Sequence, residues 1–450
     1  MKRPALTGLA LLCYNGLFAV LLLLASPWLL FRLATRERYR TGLLERIAVR
    51  LPPRRSRRPR LWLHAASAGE MVAVAALARA LKRRRPELEL VLSSTTTSGR
   101  AVAERLLPEL FCFLLPLDFW PLAGRVVDRV DPLALVLVEL ELWPSLVHLA
   151  RRRGIRLAVA NGRIGAASAR RYRFGPVRRL IGFGLVDLFA VQNQVYRERL
   201  MSLGVPAGRI EVTGNLKVDV ADPEAAGRDR IRAELGFQPS DLVLVCGSTH
   251  AGEEGLIGRA VAKLCAESDR PLKLVIAPRH RERLADAERD LKNAGLDPVR
   301  LTRLRQGGSG SVVVVDTMGE LAGLYRAADL AIVGGSLVPG IGGHNLFEPV
   351  LAGARTLVGP HHKNVRSDLL FLEQAGALSV VQPERLHADL CELIAGGRPC
   401  LDEAVRRALL AARGAAERTC ILIEQRCLGA AGSLADQRSE LPANRPSTTT

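Results

Sequence analysis

From residue 60 onward the chain runs through one pattern twice: a short unbroken apolar run, a stretch with helical spacing, then another apolar run. "LWLHAAS" is followed by "EMVAVAALARALKRRR". "LELVLSS", "FCFLLPL", "PLALVLVEL", "IRLAVANGR", "LFAVQN" and "RIEVTGN" come after it, with helical stretches between them. A strand that is apolar on both faces needs both faces covered, which calls for a mostly parallel sheet with helices on its two sides. The rhythm restarts at "DLVLVCGST" and continues through "LKLVIAPRH", "GSVVVVDT", "LAIVGGS" and "ARTLVGP". Between the two sets, the polar "NLKVDVADPEAAGRDRIRAELG", with Pro223, reads as a linker. The expected fold is therefore α/β: two doubly wound, Rossmann-like domains facing a cleft, at 36–220 and 221–428. Residues 429–450 are poor in apolar side chains and read as a disordered tail.

Residues 1–35 stand apart. No charge occurs between Arg3 and Arg32, and "PALTGLALLCYNGLFAVLLLLASPWLLF" is long enough to cross about 30 Å of hydrocarbon. The flank behind it carries Arg32, Arg36, Arg38 and Arg40, then "RRSRRPR" at 54–60. That bias places the bulk of the chain on the cytoplasmic side of a membrane. Tyr14, Asn15 and Pro27 leave a shallow interfacial anchor open beside a full span. A net charge of +19 suits an anionic partner, whether nucleic acid, phosphorylated substrate or anionic lipid. Aromatics are only 4% and do not interleave with basic residues, which is poor for base stacking and sets nucleic acid aside. The eight cysteines form no CxxC pair and read as reduced core thiols. With eight histidines and no HExxH, no metal site is expected.

In a parallel sheet, chemistry gathers outside the carboxyl ends of the strands. In the second half those ends carry Ser248-Thr249-His250 with Glu253 and Glu254 opening a helix, then Pro278-Arg279-His280, then Thr317-Met318-Gly319-Glu320. The last is "GGSLVPGIGGHNLFEPV" at 334–350. Singly, each has a plain structural reading: an Arg after a strand is usually a surface residue, a Gly-Glu a helix start. Together they suit an anion and nucleotide site. Free amides at a helix N-terminus would attract phosphate, Gly342 and Gly343 would let backbone approach it, and an Arg fork would complete the clamp. Glu348 would lie one turn into the helix, placed for ribose hydroxyls. The loop matches neither a P-loop nor a GxGxxG, which argues against ATP hydrolysis and nicotinamide chemistry.

In the first half, small residues Ala65 to Gly69 precede Glu70. At a helix N-terminus Glu70 should be ionised and able to take a proton, although a first-turn Glu is also explained by capping alone. Glu139 and Glu141 end an apolar strand, where carboxylates need partners. Lys217 follows another strand and could meet developing negative charge.

Seven ordered stretches, "LHAASAGE", "VELELWP", "GNLKVD", "STHAGEE", "APRH", "DTMGEL" and "GGSLV…GGHNLFEP", resemble the motif series of 3-deoxy-D-manno-octulosonic acid (Kdo) transferases. These are membrane-anchored enzymes that add Kdo to the lipid A precursor. The resemblance runs from the anchor to about residue 425. It implies a GT-B fold, CMP-Kdo as donor, a phosphorylated lipid IVA-type acceptor, an anionic inner-membrane surface with the domains on its cytoplasmic side, and inverting transfer without metal or cofactor. It assigns Glu70 as general base and Glu139 and Lys217 to transition-state stabilisation. Contacts to CMP fall to Pro278, Arg279, Met318, Gly319, Glu320, Asn345, Leu346, Phe347 and Glu348, with Ser248, Thr249, His250, Gly342 and Gly343 in support. Two features depart from the family pattern: one extra residue between Ser336 and Gly342, and Leu346 where many members have Pro. A GT-B transferase using a UDP-sugar and another lipid-linked acceptor is the nearest alternative. A GT-B-like epimerase, for which the apolar N-terminus has no use, and a basic binding module stand further off.

Overall fold

The computed structural model describes residues 4–35, 40–53, 58–220, 227–267, 270–395 and 401–429. It divides into two compact units, Met1–Val220 with Arg413–Thr450, and Ala221–Ala412. Outside the described residues lie Arg36 and Arg38 of the basic flank, 54–57 of "RRSRRPR", Pro223 in the linker, Cys400, and the tail from 430.

The first unit is a seven-stranded sheet of β1 (Arg60–Ala65), β2 (Glu89–Ser94), β3 (Phe111–Leu114), β4 (Ala134–Val138), β5 (Arg156–Gly162), β6 (Leu188–Val191) and β7 (Ile210–Val212). Their order is β3-β2-β1-β4-β5-β6-β7, with every pairing parallel. The unbroken apolar runs serve both faces because successive side chains alternate. Trp62, Leu135 and Leu157 enter one core. Leu61, Leu63, Val136 and Val138 enter the other, beneath the helix Ala68–Arg84.

The second unit repeats the plan with β8 (Leu242–Thr249), β9 (Leu272–Pro278), β10 (Pro298–Arg300), β11 (Val312–Val314), β12 (Leu330–Val333), β13 (Arg355–Val358) and β14 (Leu378–Val380). Their order is β10-β11-β9-β8-β12-β13-β14, again parallel throughout. In each sheet the chain fills one side, then crosses to the other, so strand order reverses between β1 and β4 and between β8 and β12. Those two crevices are where such sheets bind ligands.

Two boundaries differ from the sequence expectation. The second domain was expected to run to 428, but the described residues from Arg413 to Gly429 belong to the first unit. There Cys420, Ile423, Cys427 and Leu428 complete the core that holds Leu77 and Leu81. The start of the expected linker is also core: Leu216–Val220 forms a short 3-10 turn in which Leu216 and Val218 are buried. Asp219 joins the two pieces, its carboxylate accepting from the N–H groups of Gly414 (2.8 Å) and Ala416 (2.6 Å) at the start of the helix Ala415–Ile423. Removing such a cap costs about 0.5–2 kcal/mol, so Asp219→Ala should lower the melting temperature of the full chain measurably. An unchanged melting curve would count against the docking of this segment. The cysteine expectation also needs amending. Of the seven described cysteines, all free, Cys246, Cys420 and Cys427 are buried, but Cys13 and Cys265 are exposed.

The apolar N-terminus is one helix, Pro4–Thr35. At 1.5 Å per residue it is about 48 Å long. Pro27 cannot donate to the carbonyl of Leu23, and the Ser26 hydroxyl donates to it instead at 2.7 Å. Tyr14 and Asn15, the polar break in the run, fasten the helix to the first unit. Tyr14 Oη donates to Asp118 Oδ2 at 3.1 Å, Asn15 Oδ1 accepts from the Trp120 N–H at 2.7 Å, and Asn15 Nδ2 donates to Ser145 Oγ at 3.2 Å. Phe18 stacks on Phe119 at 5.9 Å. Leu11 is buried, but most of the leucines after it, Leu12, Leu23, Leu24 and Leu30 among them, are exposed. The helix is long and apolar enough to cross a membrane.

Candidate active site

The order β1-β4 puts the loops after these strands side by side, and with them Glu70 and Glu139, which are far apart in sequence. Ser67 caps the helix Ala68–Arg84, and Glu70, three residues on, closes a capping box. Ser67 Oγ donates to Glu70 Oε1 at 2.8 Å, and the Ala66 N–H donates to Oε2 at 2.8 Å. These bonds favour the anion, but burial and then the charges of Glu139 and Glu141 outweigh them. The Glu70 carboxyl, only 8% exposed, is pushed up to about 7. The sequence expectation of a fully ionised Glu70 is therefore corrected: desolvation and two neighbouring carboxylates defeat the helix N-terminus. Glu141 is also raised, by burial and then by Glu139.

Glu139, 5% exposed, sits directly after β4 with φ +63°. That left-handed conformation costs a residue with a Cβ on the order of 1–3 kcal/mol, and such strain gathers at functional sites. Arg163 Nε donates to Glu139 Oε2 at 2.5 Å, and Lys217 Nζ lies 3.7 Å from Oε1. Lys217, 7% exposed, is placed by two asparagines. Asn161, at φ +54° in a bulge at the end of β5, accepts from the Leu216 N–H, and Asn215 Oδ1 accepts from the Lys217 N–H, each at 3.0 Å. The first unit thus gathers carboxylates on Glu70, Glu139 and Glu141 with cations on Lys217 and Arg163. Sequence reading missed Arg163 and Asn161. Their signal was the polar "NGR" closing the apolar run of β5.

In the second unit three imidazoles converge beside Arg279 at the ends of β8, β9 and the loop after β12. His250 and His344 stack at 5.1 Å with their Nε2 atoms 2.8 Å apart, and His280 meets His250 edge-on at 5.5 Å. Burial and then the charge of Arg279 push His344 down to about 4, and His250 is lowered chiefly by burial. Both are therefore neutral near pH 7, one ring donating to the other. Arg279 is exposed, and its N–H donates to the Thr249 carbonyl at 2.9 Å. Ser248 has φ +58° at the end of β8. Asn345 accepts from the Phe347 N–H and donates to Glu348 Oε1, each at 3.1 Å.

Other expected contacts are placed differently. Leu346 and Phe347 are buried, Phe347 against Phe371, so their side chains pack inward. Thr249 is buried with its hydroxyl on Glu254. Glu320 is ion-paired with Arg305 at 2.6 Å, while Met318 is 72% exposed. Most directly, Gly342 and Gly343 do not offer free amides: both donate to the Gly335 carbonyl, at 3.0 and 2.7 Å. Their positive φ lets this loop double back against Lys363, Asn364 and Val365, where a Cβ would collide. The following helix, Phe347–Leu351, is five residues long. Away from both sites, Glu267, His387 and Cys391 are the one place among the described residues where three metal-ligating side chains meet, one atom of each within 4.8 Å of the others.

Two parallel sheets with polar strand ends are common, and relatives decide among them. A profile of 3-deoxy-D-manno-octulosonic-acid transferases (kdotransferases) matches residues 38–220. A 3-deoxy-D-manno-octulosonic acid transferase of Bordetella pertussis is 36% identical over 383 residues, 81% of this chain and 86% of the relative. The chain belongs to the 3-deoxy-D-manno-octulosonic acid transferase family. One from Chlamydia pneumoniae is 32% identical over 379 residues, 82% of this chain and 86% of that protein. Kdo transferases are glycosyltransferases, and this chain is such an enzyme. Among solved structures, a UDP-GlcNAc 2-epimerase from Neisseria meningitidis superposes with a TM-score of 0.55 at 13% identity, covering 82% of this chain and 99% of that one. MurG from Acinetobacter baumannii does so with a TM-score of 0.50 at 15% identity, covering 82% and 99%. These likenesses concern the fold alone, the two-domain α/β GT-B architecture.

Proposed function

We propose that this Kdo transferase moves Kdo from CMP-Kdo to a phosphorylated lipid A precursor of the lipid IVA type, with inversion at the anomeric carbon and Glu70 as general base. The observation that carries the reading is the Glu70 carboxyl pushed up to about 7 beside Glu139, with Lys217 and Arg163 on Glu139. A base works best when its proton affinity lies near the working pH. Glu70 takes the proton of the attacking acceptor hydroxyl as that oxygen bonds to the anomeric carbon. The bond from that carbon to the CMP phosphate oxygen breaks, and CMP leaves with the electron pair. Lys217 and Arg163 both pair with Glu139, and Lys217 offers positive charge to the negative charge that develops.

The donor reading places CMP over the ends of β8, β9 and β12. Arg279, His250, His280 and His344 supply the anion contact there, and Asn345 with Glu348 serve the nucleoside. This differs from the amide cradle expected at Gly342 and Gly343, whose N–H groups are already used. The N-terminal helix and the basic flank behind it favour an inner-membrane enzyme with its catalytic units on the cytoplasmic side, next to an anionic surface.

The test is direct. Purified chain with CMP-Kdo and lipid IVA should yield a lipid product heavier by Kdo in mass spectrometry, and UDP-sugars in place of CMP-Kdo should yield none. Transfer from a UDP-sugar alone would overturn the donor. Within the same assay, Arg279→Ala removes a charge-assisted contact of about 1.5–3 kcal/mol, so CMP affinity by calorimetry should fall roughly 10- to 150-fold. Unchanged affinity removes Arg279 from the donor site.

A further inference from the structure

We infer that Glu253 is the positioning residue of the donor site: its carboxylate holds the loop after β12 against the end of β8. The inference rests on the donor reading above. Glu253 is fully buried at the first position of the helix Glu253–Glu267, where the helix terminus favours its charge. Oε2 accepts from the N–H groups of His250 (2.9 Å) and Gly335 (2.8 Å), and Oε1 from those of Ser336 (3.0 Å) and Leu337 (2.9 Å). Four donors use the acceptor capacity of one carboxylate fully.

Three successive amides aimed at one point are the kind of nest that takes an anion from solution. Here the protein supplies the anion itself. These three amides are therefore closed to a donor phosphate, and the anion contact passes to side chains whose places the clamp sets. His250 follows β8 and His344 belongs to the clamped loop, and their Nε2 atoms meet at 2.8 Å. The join is tight: a Cβ at Gly334 would stand 2.5 Å from the Ser248 carbonyl oxygen. It extends to the next strand as well, since Ser336 Oγ accepts from the Gly359 N–H at 2.9 Å. Glu254, next in the chain and equally buried, makes a useful contrast. It binds Thr249 Oγ1 and Arg283, and none of its bonds reaches the loop.

The experiment compares Glu253→Gln with Glu254→Gln in the full chain, reading melting temperature, CMP affinity by calorimetry, and KM for CMP-Kdo against kcat. Gln presents an amide NH2 where two N–H groups need an acceptor, so half the clamp should open. Expected is a loss of CMP affinity and a rise in donor KM of roughly 10- to 100-fold, with kcat at saturating donor and acceptor KM close to the unaltered enzyme. Glu254→Gln should lower the melting temperature but keep donor affinity. The idea is overturned if folded Glu253→Gln binds CMP normally, or if Glu254→Gln loses affinity to the same degree. Should Glu253→Gln not fold, Glu253→Asp, which keeps the charge but stops one methylene short, is held to the same outcomes. If neither folds, Glu253 is a stability residue and the inference fails. An unaltered chain that does not bind CMP strikes the donor reading instead, which separates the two failures.

Discussion

Glu70→Gln is expected to lower Kdo transfer about 10²- to 10⁴-fold while the chain stays folded. Gln keeps the size of Glu70 and one acceptor for the bonds from Ala66 and Ser67. The capping box should therefore lose about 1 kcal/mol at most. Two pH dependences of opposite sign accompany the change. The carboxyl is raised in the fold from an ordinary 4.5 to about 7. Between those values the folded chain keeps a proton that the unfolded chain has released, so stability is lost as pH rises through this window. Glu70→Gln lacks that loss, and its melting temperature relative to the unaltered chain should climb between pH 5 and pH 8. Activity runs the other way: the basic form grows as pH rises, giving a limb with its midpoint near 7 that the variant lacks. Single-turnover transfer and melting curves across this range measure both. Near-normal transfer by a folded Glu70→Gln enzyme would pass the base role to Glu141, the raised carboxyl next in line.

Lys217→Met should cost transfer about 10²- to 10³-fold, the scale seen when one preorganised charge-stabilising group is removed. It should also lower the melting temperature, because the buried Glu139 carboxylate is left with Arg163 alone as its partner. Adding Glu139→Gln separates the effects. In the double variant position 139 carries no carboxylate short of a partner, so melting should recover towards the original value while transfer stays low. If Lys217→Met transfers normally once folded, the lysine serves only to balance Glu139.

Much of the fold was legible because burial on both faces of a parallel strand writes an unbroken apolar run, and twelve of the fourteen strands left that trace; β10 and β14, three residues each, did not. Carboxylates and cations at the ends of such runs, Glu139 after β4 and Arg279 after β9, stood out for the same reason. What could not be read was which strand ends meet. Glu70 and Glu139 become neighbours only because β4 crosses to pair with β1, and that pairing adds the charge of Glu139 to the burial that raises the Glu70 carboxyl. The glycine-rich loop shows the limit from the other side. Its composition signals a backbone that must turn sharply, yet turning to receive a phosphate and turning to receive Glu253 write the same glycines.

The sequence alone determined the α/β class, the two rounds of strand and helix, the apolar N-terminal helix and the family, since periodicity and ordered motifs are local properties. Only the tertiary structure decided the rest. It returned Arg413–Leu428 to the first unit, where Cys420 and Ile423 find a matching core and Asp219 a helix to cap. It turned Leu346 and Phe347 inward, closed the amides of Gly342 and Gly343 on Gly335, and set Arg163 and Lys217 on Glu139. The physical reason is common to all of these. A side chain's residue type states which contacts would satisfy it, but burial, charge and hydrogen-bond partners are supplied by segments distant in the chain, and they exist only once the strands have taken their order.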